Sequence, residues 1–235
     1  AAATTHTVTV TDANGATATA TFSLTVNGSV VATQVIASKV LTRNTAATSF
    51  TPVTGSGGTA PLAYSVSPAL PTGLAMASST GAITGTPTAT SAATTYTVTV
   101  TDANSVTATA TFSLTVNSAV AATQAVASKV LTQNTAAASF SPVTGSGGTT
   151  PLAYTVSPAL PAGLSMASST GAVTGTPTAA SAAATYTVTV TDANSATATA
   201  TFSLTVNGGV VATQAIASKV LTRNTAAASF TPVTG

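Results

Sequence analysis

Threonine alternates with apolar residues along two neighbouring stretches of the chain. In the first, Tyr96, Val98 and Val100 alternate with threonines, and in the second, residues 107–116, alanine, phenylalanine, leucine and valine do so. Successive side chains of a β-strand point to opposite faces, so this period of two predicts strands with one buried and one exposed face. The exposed face would be nearly all threonine and serine, and threonine favours strands.

The sequence between these stretches, Asp-Ala-Asn-Ser at 102–105, is typical of a turn. Asp and Asn side chains hydrogen-bond the nearby backbone and tolerate unusual dihedral angles. Residues 96–102 and 107–116 are therefore predicted to form a β-hairpin.

Shorter β-prone segments precede this hairpin, and no stretch of ten or more residues has helical periodicity. A glycine-rich run at 54–59 is predicted to be a loop. With the hairpin, the unit is predicted to have seven strands. The first five are residues 30–42, 49–53, 62–66, 73–77 and 82–84.

The whole pattern repeats every 90 residues. The three acidic residues of the chain, Asp12, Asp102 and Asp192, lie 90 positions apart, and 72 of 90 positions are identical between residues 6–95 and 96–185. A unit of this length can bury a core of its own and has the size of an immunoglobulin-like sandwich. The predicted fold class is all-β, with tandem seven-stranded immunoglobulin-like β-sandwiches.

The repeat predicts four domain segments. Residues 28–117 and 118–207 are each expected to form a complete repeat. Residues 1–27 are expected to be the C-terminal part of a repeat, and residues 208–235 the N-terminal part of another. The chain is therefore expected to be a section of a longer array.

The composition excludes several classes of function. Charged residues make up 3% of the chain, against roughly 25% in ordinary domains. Five Lys and Arg residues are too sparse to bind a phosphate backbone, so no nucleic acid partner is expected. No apolar run approaches the ~18 residues of a membrane-spanning helix. The absence of cysteine excludes disulfides and thiolate sites.

Each repeat carries one carboxylate, which can be interpreted as a calcium ligand or as a turn residue. Calcium takes six to eight oxygen ligands, several of them usually carboxylates, so the sequence favours the turn. A catalytic carboxylate pair is excluded for the same reason. His6 occupies the aromatic position of Tyr96 and Tyr186, and no other His or Cys could complete a metal site. No metal, cofactor or catalytic residue is predicted.

The basic residues Lys39 and Arg43 allow three interpretations. They can lie on a solvated strand edge, where lysine discourages sheet-to-sheet aggregation. Lys39 could instead form an isopeptide bond with Asn117, but Asp102 should lie on the order of 20 Å away, too far to assist. Third, Asp192 could form an ion pair with Lys39 or Arg43 between consecutive domains, contributing ~0–1 kcal/mol.

One longer motif resembles a known family. Residues 70–74 read Leu-Pro-Thr-Gly-Leu, residues 80–87 read Thr-Gly-Ala-Ile-Thr-Gly-Thr-Pro, and an aromatic-xVxVTD strand follows. The motif recurs at residues 160–177 and resembles the He-PIG immunoglobulin-like repeats of bacterial surface proteins. The resemblance implies a cadherin-like shape, a spacer role in large secreted or surface-anchored proteins, and no catalytic residues.

The predicted function is structural, with no enzymatic activity, because no base accompanies the Ser and Thr hydroxyls. The repeats are expected to form an extracellular stalk or filament of a bacterial adhesin-like surface protein. Its partners would be neighbouring repeats and other copies. The alternative is a carbohydrate- or protein-binding immunoglobulin-like module, whose partner would be a surface receptor or glycan. Tyr64, Tyr96 and Phe112 are predicted to be buried, and exposure of Tyr64 and Tyr154 in a groove would favour this alternative.

Overall fold

The computed structural model describes residues 2–234, and all regular structure there is β-strand. The chain opens with a hairpin of β1 (Thr4–Thr11) and β2 (Thr17–Leu24). The next repeat holds β3 (Val31–Gln34), β4 (Ser38–Thr42), β5 (Ala47–Phe50), β6 (Val53–Ser56), β7 (Ala63–Ser67), β8 (Leu74–Met76), β9 (Ile83–Gly85), β10 (Ser91–Thr101) and β11 (Thr107–Asn117). The following repeat holds β12 (Ala121–Gln124), β13 (Ser128–Thr132), β14 (Ala137–Phe140), β15 (Val143–Ser146), β16 (Ala153–Ser157), β17 (Leu164–Met166), β18 (Val173–Gly175), β19 (Ser181–Thr191) and β20 (Thr197–Asn207). Two short strands end the chain, β21 (Thr213–Gln214) and β22 (Val233–Thr234).

The chain forms two compact units. The first extends to Ala119 and also includes Gly147–Thr149 and Ala193–Ala196. The second comprises Val120–Ser146, Thr150–Asp192 and the chain from Thr197 onward.

The β3–β11 repeat is built from three sheets. The largest has the order β4-β11-β10-β7, a second has the order β5-β9-β8, and β3 pairs with β6. The predicted hairpin is the antiparallel pair β10–β11, with Tyr96 opposite Phe112, while β4 runs parallel to β11. The β12–β20 repeat has the same three sheets. The predicted all-β, immunoglobulin-like fold is confirmed.

The first two predicted strands are each broken in two, and the seven-strand prediction was wrong on this point. Residues 30–42 form β3 and β4, which belong to different sheets. Between them, the backbone N–H groups of Val35 and Ile36 both donate to the carbonyl of Pro52. Proline cannot donate to a strand ladder, and Pro52 correspondingly separates β5 from β6.

The predicted loop at residues 54–59 is also partly strand, because β6 extends to Ser56. Gly55 lies within β6, and a Cβ atom there would come within 2.6 Å of Val100 Cγ1 and 3.0 Å of the Tyr64 hydroxyl. The glycine is therefore required by packing. Strand β10 likewise begins at Ser91, earlier than predicted.

The buried face of the β10–β11 hairpin is the apolar one, as predicted. Phe112 and Tyr96 are 1% and 3% exposed, whereas Thr111, next to Phe112, is exposed. The Phe112 ring stacks on Tyr96 with centroids 5.5 Å apart and meets Phe50 edge-on at 6.5 Å. The other buried residues of the core are Val30, Leu41, Val53, Ile83, Val98, Val100, Leu114 and Val116.

The recurring Leu-Pro-x-Gly-Leu motif marks a close backbone crossing. Gly73 has a φ of +93°, and a Cβ atom there would lie 2.0 Å from the carbonyl oxygen of Thr86. Gly85, across the crossing, has a φ of +119°, and its Cβ would lie 2.1 Å from the Gly73 oxygen. The Thr86 N–H donates to the Gly73 oxygen at 3.0 Å. The motif therefore needs glycine at both positions.

The β1–β2 hairpin presents its side chains to solvent, with Val10 68% and Phe22 50% exposed. Residues 210–234 are likewise exposed, apart from the half-buried Ile216. Among residues 2–234 there is no helix with the length and hydrophobicity needed to cross a membrane.

Candidate functional site

The turn between β10 and β11 contains a buried carboxylate. Asp102 is only 7% exposed. Its Oδ1 accepts hydrogen bonds from the backbone N–H groups of Asn104 at 2.9 Å and Val106 at 2.8 Å. Its Oδ2 accepts the N–H of Thr59 at 2.9 Å. The carboxylate is thus held by three backbone donors, as a structural turn residue would be.

The third donor comes from the glycine-rich loop that follows β6. Gly57 and Gly58 have φ angles of +68° and +66°. A Cβ atom on Gly58 would lie 2.6 Å from Val30 Cγ2 and 2.9 Å from Asp102 Cβ. These glycines let the loop approach closely enough for Thr59 to reach the carboxylate. The contact between this loop and Asp102 was not predicted, although both recur at the same spacing in each repeat.

These bonds set the protonation state of Asp102. The hydrogen bond from Thr59 lowers the pKa of the Asp102 carboxyl below its usual value of 3.8. Burial raises this pKa, and the bonds from Val106 and Asn104 lower it further. The net lowering keeps the group ionised at neutral pH.

Ionised Asp102 is expected to stabilise its repeat above about pH 4 and to lose that contribution in acid. The folded pKa lies below the unfolded value, so the unfolded chain binds the proton first as pH falls, and unfolding becomes easier. We expect Asp102→Asn to lower the unfolding midpoint at pH 7 and to flatten its decline below pH 4. Urea unfolding from pH 2 to pH 7 measures this.

Asp12→Asn is the matched control, because Asp12 is exposed and its carboxylate accepts bonds from Asn14 and Ala16 in its own turn. The control should leave both the midpoint and its pH dependence close to those of the unmodified chain. Equal effects of the two substitutions would contradict the role assigned to the Thr59 bond.

The described residues contain no group of three or more His, Cys, Asp or Glu side chains that could hold a metal ion. His6 lies on β1 opposite Phe22, and the two rings stack with centroids 5.3 Å apart. It occupies an aromatic position, as the sequence predicts.

Lys39 lies on β4, which is an edge strand of its sheet. Its Nζ lies 5.5 Å from the centre of the Phe50 ring, and Lys129 and Lys219 lie similarly over Phe140 and Phe230. Such cation–π contacts contribute about 0.5–1 kcal/mol at exposed sites. This contact was not predicted, and the signal for it in the sequence is the constant spacing of the Lys and Phe residues.

The geometry does not support an isopeptide bond between Lys39 and Asn117. Lys39 is paired with Leu114, whereas Asn117 is paired with Thr42, three positions further along the sheet. Three residues of strand span about 10 Å.

Arg43 and Asp192 are the other two residues named in the predicted ion pair. The backbone N–H of Arg43 donates to Asn117 O at 2.9 Å, and its Nε is buried without a hydrogen-bond partner. In the equivalent position, Gln133 Nε2 donates to Thr178 O at 2.9 Å. Asp192 follows β19 and is 5% exposed. Its ion pair with Lys39 or Arg43 stays a prediction.

The aromatic residues of the two complete repeats do not form an exposed binding platform. Tyr64 and Tyr154 are half-buried, and their hydroxyls accept the backbone N–H groups of Gly55 and Gly145, each at 3.0 Å. Two cavities of about 220 and 280 Å³ lie in the first unit, next to Asn194 and Asp102 respectively, and neither is lined by an aromatic side chain. Tyr64 and Tyr154 are therefore not fully exposed in a groove, which is the arrangement that would have favoured a glycan-binding module.

The sequence model of the He_PIG family, described as "Putative Ig domain", matches residues 29–117 and 118–207. The chain belongs to the He_PIG family. The recurring turn, glycine-rich loop and Leu-Pro-x-Gly-Leu crossing described above are thus features of two tandem He_PIG repeats. A search of curated proteins found no match.

Solved structures with similar arrangements include immunoglobulin and cadherin domains. The titin I-band fragment I67–I69 is 10% identical, with a TM-score of 0.41, and the match covers 88% of this chain and 75% of the titin fragment. Human protocadherin-24 EC1-2 is 14% identical, with a TM-score of 0.37, covering 79% of this chain and all of the protocadherin chain. Protocadherin gamma B2 domains 3–6 give 14% identity and a TM-score of 0.36, covering 88% of this chain and 58% of that chain.

Proposed function

We propose that these He_PIG repeats are structural modules of an extracellular stalk or filament in a large bacterial adhesin-like surface protein. The observation that carries the proposal is that the Asp102 carboxylate accepts three backbone hydrogen bonds within its own repeat. The acid of this repeat serves the fold and offers no ligand geometry. Identity at 72 of 90 positions between residues 6–95 and 96–185 supports the same role, since each copy adds one more unit of similar structure.

The proposed partners are neighbouring repeats and other copies of the same protein. With charged residues at only 3% of the chain, copies can pack closely without strong like-charge repulsion. Family membership supports the extracellular, cell-surface location and the absence of enzymatic activity. We also propose domain limits at residues 28–117 and 118–207, with partial repeats at 1–27 and 208–235. A surface receptor or glycan remains a partner to be tested by binding.

The stability of the repeats is expected to be independent of calcium. A single carboxylate that already accepts three hydrogen bonds cannot supply the six to eight oxygens that calcium requires. Thermal unfolding with millimolar calcium and with chelator should give the same midpoint within about 1 °C. A rise of more than a few degrees with calcium would contradict the proposed role of the acidic turn, because ligand binding to the folded state raises the midpoint.

We retain the ion pair between Asp192 and Lys39 or Arg43 as a proposal. Arg43→Gln introduces the residue found at the equivalent position 133 and removes the charge. A double-mutant cycle with Asp192→Asn should give a coupling below ~1 kcal/mol that decreases with salt. A coupling of zero at low salt, for Arg43 and for Lys39→Gln alike, would leave Asp192 as a turn residue.

A further inference from the structure

The first unit includes two segments from later in the chain, Gly147–Thr149 and Ala193–Ala196. In each segment, a neutral polar side chain forms hydrogen bonds within the unit. The side-chain amide of Asn194 donates to Thr149 Oγ1 at 2.9 Å and to Thr42 Oγ1 at 3.0 Å. It also lies 3.2 Å from the carbonyl oxygen of Val40. Asn194 is the asparagine of the third Thr-Asp-Ala-Asn turn, and Thr149 ends the second glycine-rich loop.

The acceptors of these bonds are themselves linked. Thr42 Oγ1 and Thr149 Oγ1 are 3.0 Å apart, and the side-chain amide of Asn117 donates to Thr149 Oγ1 at 3.1 Å. Thr42 is 1% exposed, so the cluster includes a buried hydroxyl. A buried hydroxyl is costly to leave without a partner. Thr42 and Asn117 are the last residues of β4 and β11.

The same residue types meet one repeat earlier. The side-chain amides of Asn27 and Asn104 both donate to Thr59 Oγ1, at 3.1 and 3.0 Å. The backbone repeats as well, since Gly58 N donates to Gly28 O at 2.8 Å and Gly148 N donates to Ser118 O at 2.9 Å. In both places, the asparagine that precedes a repeat meets the loop threonine and the turn asparagine of that repeat.

We infer that this cluster, Asn117–Thr42–Thr149–Asn194, is a metal-free docking surface whose partner is another repeat of the same kind. The loop threonine and turn asparagine form the receiving half, and the strand-end threonine and asparagine of the preceding repeat form the other half. All four side chains are neutral, so the contact needs no cation and is not weakened by salt screening. This inference rests on the proposed function as a repeat array and names the chemistry by which one repeat recognises the next.

The inference is tested by Asn194→Ala in the full chain, with Asn14→Ala as matched control. Asn14 occupies the same turn position and is exposed, so its replacement reports the effect on the turn alone. Amide hydrogen exchange read at residues 40–42 and 147–149 measures local opening. We expect exchange there to be about 5- to 30-fold faster in Asn194→Ala, the factor that loss of one or two net hydrogen bonds gives. Asn14→Ala should leave these rates unchanged.

A second variant, Asn194→Asp, keeps the shape of the side chain and removes its amide donors. It should accelerate exchange at least as much as Asn194→Ala, and the acceleration should persist at 1 M salt. The double variant Thr42→Val/Asn194→Ala should accelerate exchange by less than the two single substitutions would together, because the two side chains share a hydrogen bond. Rates for both Asn194 variants equal to those of Asn14→Ala would overturn the inference. The proposed stalk or filament role would fail separately, in imaging of the particles.

Discussion

Replacing Phe112 by alanine is expected to lower the free energy of unfolding of its repeat by about 3–5 kcal/mol. The side chain is 1% exposed and stacks on Tyr96 while meeting Phe50 edge-on, so truncation removes two ring contacts and leaves a cavity among Leu114, Val98 and their neighbours. A domain of this size is stabilised by only about 5–15 kcal/mol, so the loss is a large share of the total.

Urea denaturation followed by far-UV circular dichroism and tyrosine fluorescence measures the effect, since the chain has four tyrosines and no tryptophan. One of two transitions should shift to lower urea, because the equivalent Phe202 repeat is unchanged. Thr111→Ala, on the exposed face beside Phe112, should cost well under ~1 kcal/mol. Equal costs for the two substitutions would contradict the assignment of faces in the β10–β11 hairpin.

Replacing Gly73 by alanine is expected to cost about 2–5 kcal/mol. Two effects add: the left-handed φ of +93° disfavours any residue with a Cβ atom, and that atom would lie 2.0 Å from the Thr86 oxygen. The clashing oxygen belongs to the backbone, so the clash can be relieved only if the chain segments that cross at Gly73 and Gly85 move apart. Opening it would weaken the 3.0 Å bond from Thr86 to Gly73 and the pairing of β8 with β9.

Gly28→Ala is the matched control, because no atom lies within 4 Å of the position its Cβ would occupy. It should change the unfolding midpoint by no more than a few tenths of a molar urea, if at all. Gly73→Ala with a midpoint as high as that of Gly28→Ala would show that the Leu-Pro-x-Gly-Leu motif does not mark a sterically closed crossing.

The elements with an unbroken period of two were predictable, and those that change sheet were not. Strand β11 keeps this alternation over its 11 residues, and β10 keeps it from Tyr96 to Thr101, so their hairpin, buried face and Asp-Ala-Asn-Ser turn follow from local sequence. Residues 30–42 keep a β-prone composition throughout, and nothing local shows that the chain leaves one sheet for another between β3 and β4. Gly55 looked like a loop residue because the tertiary reason for it, the approach of Val100 and Tyr64, lies elsewhere in the chain.

The candidate site was likewise predictable from the sequence only in part. The turn role of Asp102 was predictable from the small number of carboxylates, but its bond to Thr59 was not, because the two residues are 43 positions apart. Charge was the basis of the predicted ion pair between Asp192 and Lys39 or Arg43. The neutral Asn194, two residues after Asp192 in the same turn, donates hydrogen bonds to Thr42 and Thr149. An uncharged donor gives little indication of its partner in the sequence alone.

Negative-stain electron microscopy of the purified protein, with and without chelator, tests the proposed structural role most directly. We expect elongated particles of uniform width in both conditions. Bundled or helical fibres would identify the filament form, and isolated flexible rods would identify the stalk form. Compact particles about as wide as they are long, or elongation that appears only when calcium is added, would contradict the account.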